Sequence, residues 1–451
     1  MTETVSAEWL ADRLKDRTMR GIATETGALI RSGAIAVGAK LPAVRDLAFA
    51  LGVSPATVST AWSELRKFRV IGGRGRTGIW VLGDKTHPRP IRYHEVGNYG
   101  AGALDLSLAV PDPALLPPLE EALCRGARAA GLNSYERVPI LGSLAAAAGT
   151  TWAYKPEAFL ATNGGYEAVY VTVQTLIRPG SVVAIEDPTA MRLLDILDNA
   201  SAQLVPVACD DEGPIPASLA AALAKQPAAF LFQPRTHSVT GRMVQPQRLA
   251  ELARVLRGSE ALIIEDDGIG DVSALAPASL GRWFPDRTVH IRAYSKSHGP
   301  DLRVAVLSGP AAMLEQIQAY RSFGAGWTSR VLQEATAWLI GDPATAVLMD
   351  KARQVYAQRR RALIAALAAR GIRVPDRDGL CLWLPVRSEQ FALVTLAAHG
   401  IAVRGGGNFS ARPNDHIRVA TSLLPAGKVG AVADALALTD PHRGRAGSSS
   451  Y

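Results

Sequence analysis

The sequence predicts an α/β protein in which a small winged helix-turn-helix unit precedes a large domain built on a mainly parallel sheet. Three observations carry that expectation. Two short amphipathic helices and a glycine-rich hairpin lie between residues 44 and 81. From about residue 104 onward, apolar runs of strand length alternate with helical patterns. Positive charge is concentrated in the first 92 residues. With 451 residues the chain is too long for one ordinary core, so two or three domains are expected.

The N-terminal unit follows from apolar spacing. Val44, Leu47, Ala48 and Leu51 recur at i, i+3, i+4 and i+7, which gives a helix closed by Gly52. Ser54 is placed to cap a second helix, Pro55 suits its first turn, and Val58, Ala61, Trp62 and Leu65 repeat the pattern. Helices this close have helix-turn-helix spacing. The outward face of the second offers Ala56, Thr57, Ser59, Thr60 and Ser63, short side chains that let a helix sit deep in a major groove. Arg45, Arg66 and Lys67 are candidates for phosphate contacts. Val70-Ile71, a Gly72–Gly78 tip and Ile79–Val81 read as a hairpin wing, with Arg74 and Arg76 placed to enter a minor groove or grip the backbone.

Charge supports the same reading. Residues 1–92 hold 15 Lys+Arg against 8 Asp+Glu, a net of +7, which leaves 34 against 33, or +1, for the rest. A basic module on a near-neutral body is the footprint of a protein that neutralises phosphates. Three widely spaced cysteines, Cys124, Cys209 and Cys381, indicate neither a disulfide framework nor a zinc site, and no other metal site is expected. The start of the chain, with Glu3, Glu8 and Asp12, does not read as a signal peptide, and no window approaches a membrane span, so a cytoplasmic protein is expected.

In the large domain, strand-length runs include Ala158–Ala161, Val182–Ile185, Ala229–Phe232, Ala261–Ile264 and Val304–Leu307. Ligands of parallel sheets gather beyond the carboxyl ends of the strands. The suggestive residues fall there. Thr162-Asn-Gly-Gly-Tyr166 is a tight glycine turn opening a helix, a candidate phosphate cradle. Glu265, Asp266 and Asp267 follow one strand, and a carboxylate there would pair with a protonated pyridine nitrogen. Ser295, Lys296 and Arg303 follow the next. A desolvated lysine amine forms Schiff bases, and an arginine offers a planar fork to phosphate.

Residues 17–82 resemble the winged-helix domain of GntR-family repressors, through the run Leu41-Pro-Ala-Val-Arg-Asp-Leu-Ala to Val53-Ser-Pro-Ala-Thr-Val58 and the wing. The downstream set, in order, resembles fold-type I transaminases dependent on pyridoxal phosphate, and the combination resembles the MocR subfamily over about residues 17–437. The segment Leu104–Pro113 is similar to that subfamily's opening of the large domain. The resemblance implies that Lys296 is the Schiff-base lysine, Asp266 the pyridine partner and Arg303 the phosphate arginine. It also assigns Ser295 as the serine before the lysine, Gly164, Gly165 and Tyr166 as the phosphate turn, and Arg418 as the arginine that takes a substrate carboxylate. Four departures stand out. Pro55 replaces a DNA-touching arginine, Ala190 a stacking aromatic, and Gly268 a tyrosine that bonds the phenolic oxygen of the cofactor. The family's "PTG" turn reads Ser238-Val-Thr-Gly241, which makes Ser238 the polar contact. The lost ring and hydrogen bond together are worth about 1–3 kcal/mol, or roughly ten- to a hundredfold in affinity.

The resemblance implies a winged helix-turn-helix unit over residues 1–83, a linker over 84–102 and a fold-type I domain over 103–440. Within the last, a large part spans about 135–325 and a smaller C-terminal α+β subdomain spans about 326–440 together with 103–134. An unstructured tail over 441–451 is expected. The function implied is a cytoplasmic transcriptional regulator that binds an operator in duplex DNA as a head-to-tail homodimer. Pyridoxal 5′-phosphate at Lys296, and an amine or amino acid that captures it, would set its state, with at most residual transamination. Two alternatives stay open: a working aminotransferase with an appended DNA module, and a regulator whose sensor no longer binds the cofactor.

Overall fold

The computed structural model describes residues 4–31, 34–67, 70–73, 78–82, 90, 92 and 102–440. Arg74 and Arg76 of the expected wing, most of the expected linker and the 441–451 tail lie outside them. The chain forms two compact units, residues 1–90 and 91–451.

In the first unit, helices Ala7–Ala11 and Met19–Arg31 precede the pair Val44–Leu51 and Pro55–Lys67. Gly52 closes the third helix at φ +67°, a left-handed position where glycine carries no Cβ penalty. Strands β1 (Lys40–Leu41), β2 (Ile71–Gly72) and β3 (Ile79–Val81) form a small antiparallel sheet in the order β1-β3-β2. Leu10, Ile22, Leu47, Leu51, Val58, Trp62, Leu65 and Val81 share one core, so the periodic apolar positions do face inward.

In the second unit β4 (Leu104–Asp105) leads into a sheet of β5 (Ala158–Thr162), β6 (Val182–Asp187), β7 (Gln203–Asp210), β8 (Gly213–Pro214), β9 (Ala229–Phe232), β10 (Leu262–Asp267), β11 (Thr288–Ala293) and β12 (Ala305–Gly309). Its order is β5-β12-β11-β10-β9-β6-β7-β8. β11, β10, β9, β6 and β7 pair parallel, whereas β12 runs antiparallel to both β5 and β11 and β8 turns back on β7. One face buries Leu160, Ile185, Leu231, Ile264 and Ile291 under the helix Gly165–Leu176. The other buries Ala184, Phe230, Phe232 and Ile263 under Pro246–Leu256.

A smaller sheet holds β13 (Cys381–Pro385), β15 (Arg404–Gly405) and β16 (His416–Ala420) in the order β13-β16-β15, while β14 (Ile401–Ala402) pairs parallel with β4. The helix Arg330–Gly341 buries Ala335 and Leu339 with Ala122 of the helix Glu120–Gly126, and Ala337 with Leu144, Ala161 and Val306.

Candidate functional site

The carboxyl ends of β9, β10 and β11 assemble the site. Asp266, the penultimate residue of β10, is 4 % exposed, and burial pushes its carboxyl up to about 6, opposed by the charge of Lys296 and reinforced by Asp267. Asp267 points to the opposite face and behaves differently. Burial raises it too, but Arg235 grips it through Nε (3.1 Å) and Nη2 (2.6 Å) and holds it below the ordinary carboxylate range. Arg235 also donates to the carbonyls of Gly270 (2.8 Å) and Leu275 (3.0 Å), fixing the loop that leaves β10.

Lys296 lies in the turn after β11. Its Nζ donates to the Gly268 carbonyl at 3.2 Å, and burial pulls its pKa down against the opposing charge of Asp266. Gly268 closes the link: a Cβ there would stand 3.3 Å from Asp266 Oδ1. Amine, loop and carboxylate are therefore contiguous. Ser295 beside it is partly buried.

Across the β11 end sits the glycine turn. Gly164 has φ +103° and caps the helix Gly165–Leu176, and the Arg303 Nη2 donates to the Asn163 carbonyl at 2.8 Å. A Cβ on Gly164 would come within 3.1 Å of Arg303 Nη2, and one on Gly165 within 2.9 Å of Ala293 Cβ. Glycine is needed here because guanidinium and backbone approach so closely. Arg303 itself is exposed and holds φ +49°. A helix N-terminus facing an arginine is a site for an anion.

Arg418 on β16 is 6 % exposed. Its Nη2 donates to the Ser107 carbonyl at 2.7 Å, its guanidinium lies 4.5 Å from the Phe409 ring, and its Nε has no hydrogen-bond partner. Burial lowers its pKa, with Cys381, Tyr166 and Arg404 the charges bearing on it. Tyr166 ties Arg418 to the glycine turn, and Cys381 ties it to Lys296, whose charge bears on the same thiol. Ala190, where the resemblance implies a ring, is buried and begins the helix Met191–Asn199.

The structure thus gathers Lys296, Asp266 and Arg418, and beside them Gly164, Gly165, Tyr166 and Arg303. Ser238 donates its backbone N–H to Gln233 Oε1 at 2.7 Å and receives the Cys381 Sγ–H on its carbonyl at 3.4 Å. Arg45, Ser54, Ala56, Thr57, Ser59, Thr60, Arg66 and Lys67 belong to the separate first unit. There Ser54 Oγ accepts from Thr57 N at 3.2 Å, as expected of a cap.

Sequence reasoning missed three residues. Gln233 follows β9 on the face of Leu231, the same face from which Asp266 follows Ile264 on the adjoining strand. It is 1 % exposed and its Nε2 lacks a partner. Glu186 at the end of β6 accepts the Gln233 N–H at 2.8 Å, and burial raises its pKa well above the usual range. His237 Nδ1 accepts from Thr240 N at 3.1 Å, so its proton sits on Nε2, 3.5 Å from Glu186 Oε1; burial pushes it down to about 3 and keeps it neutral. Their position at strand ends was the available signal.

The fold and site define a class: a winged helix-turn-helix joined to a fold-type I aminotransferase-like body. Family comparison agrees. Residues 116–436 match the aminotransferase class I and II family, and residues 18–81 match the bacterial regulatory proteins of the gntR family. The vitamin B6 salvage pathway transcriptional repressor PtsJ of Salmonella typhimurium is 31 % identical over 408 residues, covering 88 % of this chain and 92 % of PtsJ. The HTH-type transcriptional regulator TauR of Rhodobacter capsulatus is 25 % identical, covering 84 % and 86 %. Among solved structures, the Pyrococcus horikoshii kynurenine aminotransferase superposes with a TM-score of 0.68 at 18 % identity, over 75 % of this chain and 90 % of its own. The chain belongs to the MocR subfamily of GntR-type transcriptional regulators.

Proposed function

We propose that this regulator holds pyridoxal 5′-phosphate in its aminotransferase-like body and that occupancy of that site sets its grip on an operator. The contiguity of the Lys296 amine, Gly268 and the Asp266 carboxylate carries the reading. The donor set suits the group. Lys296, whose pKa burial lowers, offers its amine to the aldehyde; Asp266 would accept from the pyridine N–H; the N-terminus at Gly164 and Gly165, with Arg303, would take the phosphate. When bound, the cofactor supplies an electrophilic carbon that an incoming amine can claim. Gln233, whose buried Nε2 lacks a partner, and Ser238, bonded to it, would offer polar contacts.

Arg418 leaves its Nε–H without a partner, so a carboxylated amine is one effector class. The cofactor is the other, and the vitamin B6 name of PtsJ favours it. The same departures, Ala190 and Gly268, argue against efficient turnover. A second copy of the chain is expected to cover the phosphate end. Beside the cradle, Arg321 links Glu167 to the 322–328 loop, where Phe323 is 94 % exposed and Trp327 stacks edge-on with the 88 % exposed Tyr135. Among the described residues no helix is long and apolar enough to cross a membrane. We place the protein in the cytoplasm with its DNA.

The test is an absorbance scan of the full-length protein with added cofactor. A borohydride-reducible band absent from Lys296→Ala is expected. A colourless wild type after soaking in cofactor overturns the reading.

A further inference from the structure

The gntR-family match fixes that the first unit meets DNA. Which base edges it reads follows from the side chains on its recognition helix, Pro55–Lys67. The inward face is filled by Val58, Ala61, Trp62 and Leu65, which leaves Pro55, Ala56, Ser59, Thr60 and Ser63 exposed on the other. Two of the three exposed hydroxyls are turned back into the helix. Thr60 Oγ1 donates to the Ala56 carbonyl at 2.9 Å and Ser63 Oγ to the Ser59 carbonyl at 3.0 Å. Thr57 Oγ1 and Ser54 Oγ bond each other at 2.9 Å, and Ser54 Oγ also takes the Thr57 N–H.

A threonine whose hydroxyl is turned back on its own helix leaves its γ-methyl as the outward group. The first two turns therefore present mostly carbon, the Pro55 ring, the Ala56 methyl and the Thr60 methyl, with the Ser59 hydroxyl as the polar group among them. Long cations come only at the far end. Arg66 lies 3.4 Å from Ser63 Oγ, and Lys67 pairs with Glu64 at 2.7 Å. Guanine is read in the major groove by a bidentate arginine or lysine, adenine by asparagine or glutamine, and thymine by apolar contact with its C5 methyl. The helix carries none of the first four residue types before Arg66.

We propose that the operator half-site is read chiefly through thymine C5 methyl groups packed against Pro55, Ala56 and Thr60, with Arg66 and Lys67 serving the backbone. On this helix, specificity is then chiefly apolar. It does not depend on what the large domain binds.

The experiment selects duplexes from a random pool with the full-length protein, with and without pyridoxal 5′-phosphate, then replaces single thymines in the recovered half-sites by deoxyuridine. Deoxyuridine keeps the pairing and removes only the methyl. Each methyl in contact is expected to be worth about fourfold in affinity, the value of one buried carbon group. Thr60→Ser, which keeps the back-bonded hydroxyl and deletes the methyl, should remove the thymine effect at one position. Pro55→Arg should shift the selected base at the adjoining position toward guanine. Recovered sites anchored on guanines whose N7 methylation blocks wild-type binding, and indifferent to deoxyuridine, would overturn the proposal. A failure of cofactor binding would leave these outcomes unchanged.

Discussion

Asp266→Asn in the cofactor-free protein should make the fold more stable while making the site worse. Asp266 is 4 % exposed, and burial pushes its carboxyl from an ordinary 3.8 up to about 6. At 1.36 kcal/mol per unit, the buried charge costs about 3 kcal/mol once the carboxyl is ionised in both states. The sign follows from the raised value. Below about pH 4 the group is protonated in folded and unfolded chains alike and the penalty is absent; between 4 and 6 only the unfolded chain ionises; above 6 the loss is complete. Asparagine keeps the shape and carries no charge. Its advantage should therefore be near zero at pH 4 and reach about 3 kcal/mol at pH 7.5. Urea unfolding of both proteins at several pH values measures this. Added pyridoxal 5′-phosphate should stabilise the wild type far more than the variant, because asparagine cannot pair as an anion with a protonated pyridine. An advantage independent of pH, or a destabilised variant at pH 7.5, would refute the claim that Asp266 is a strained buried charge kept for the ring nitrogen.

Gly164→Ala should weaken phosphate binding at least tenfold and cost about 1–3 kcal/mol of stability, since φ +103° is strained for alanine and the new methyl lies 3.1 Å from Arg303 Nη2. Fluorescence titration and thermal melting read the two effects. Arg45→Gln should lower operator affinity and reduce the slope of log affinity against log salt by about one, seen by anisotropy at several salt concentrations. Arg418→Gln should leave cofactor binding intact and abolish the response of operator affinity to a carboxylated amine, because the partnerless Nε–H is removed.

Much of this protein was legible locally. The apolar period placed the helices Val44–Leu51 and Pro55–Lys67 and the Gly52 stop, because each element shows its buried face in its own spacing. The strands ending near Thr162, Asp187, Phe232 and Asp267 were legible as apolar runs, and their carboxyl ends were the right place to look. The antiparallel course of β12 was not. A buried strand reads the same in either direction, and only its fit between β5 and β11 decides. The partners of the helix Arg330–Gly341 were hidden for a related reason: its stripe says that it is buried, not against what.

The sequence alone determined that a DNA-reading helix and an amine, carboxylate and arginine set share one chain, since those depend on residue type and short spacing. Tertiary structure decided the rest. It brought the Ser107 carbonyl to Arg418 across 311 positions, spent the Thr60 and Ser63 hydroxyls within their own helix, and set Gln233 beside Asp266 on one sheet face. Each depends on which side chain fills which space once strands are ordered, and that order is fixed by the packing of the whole core, which no local period records.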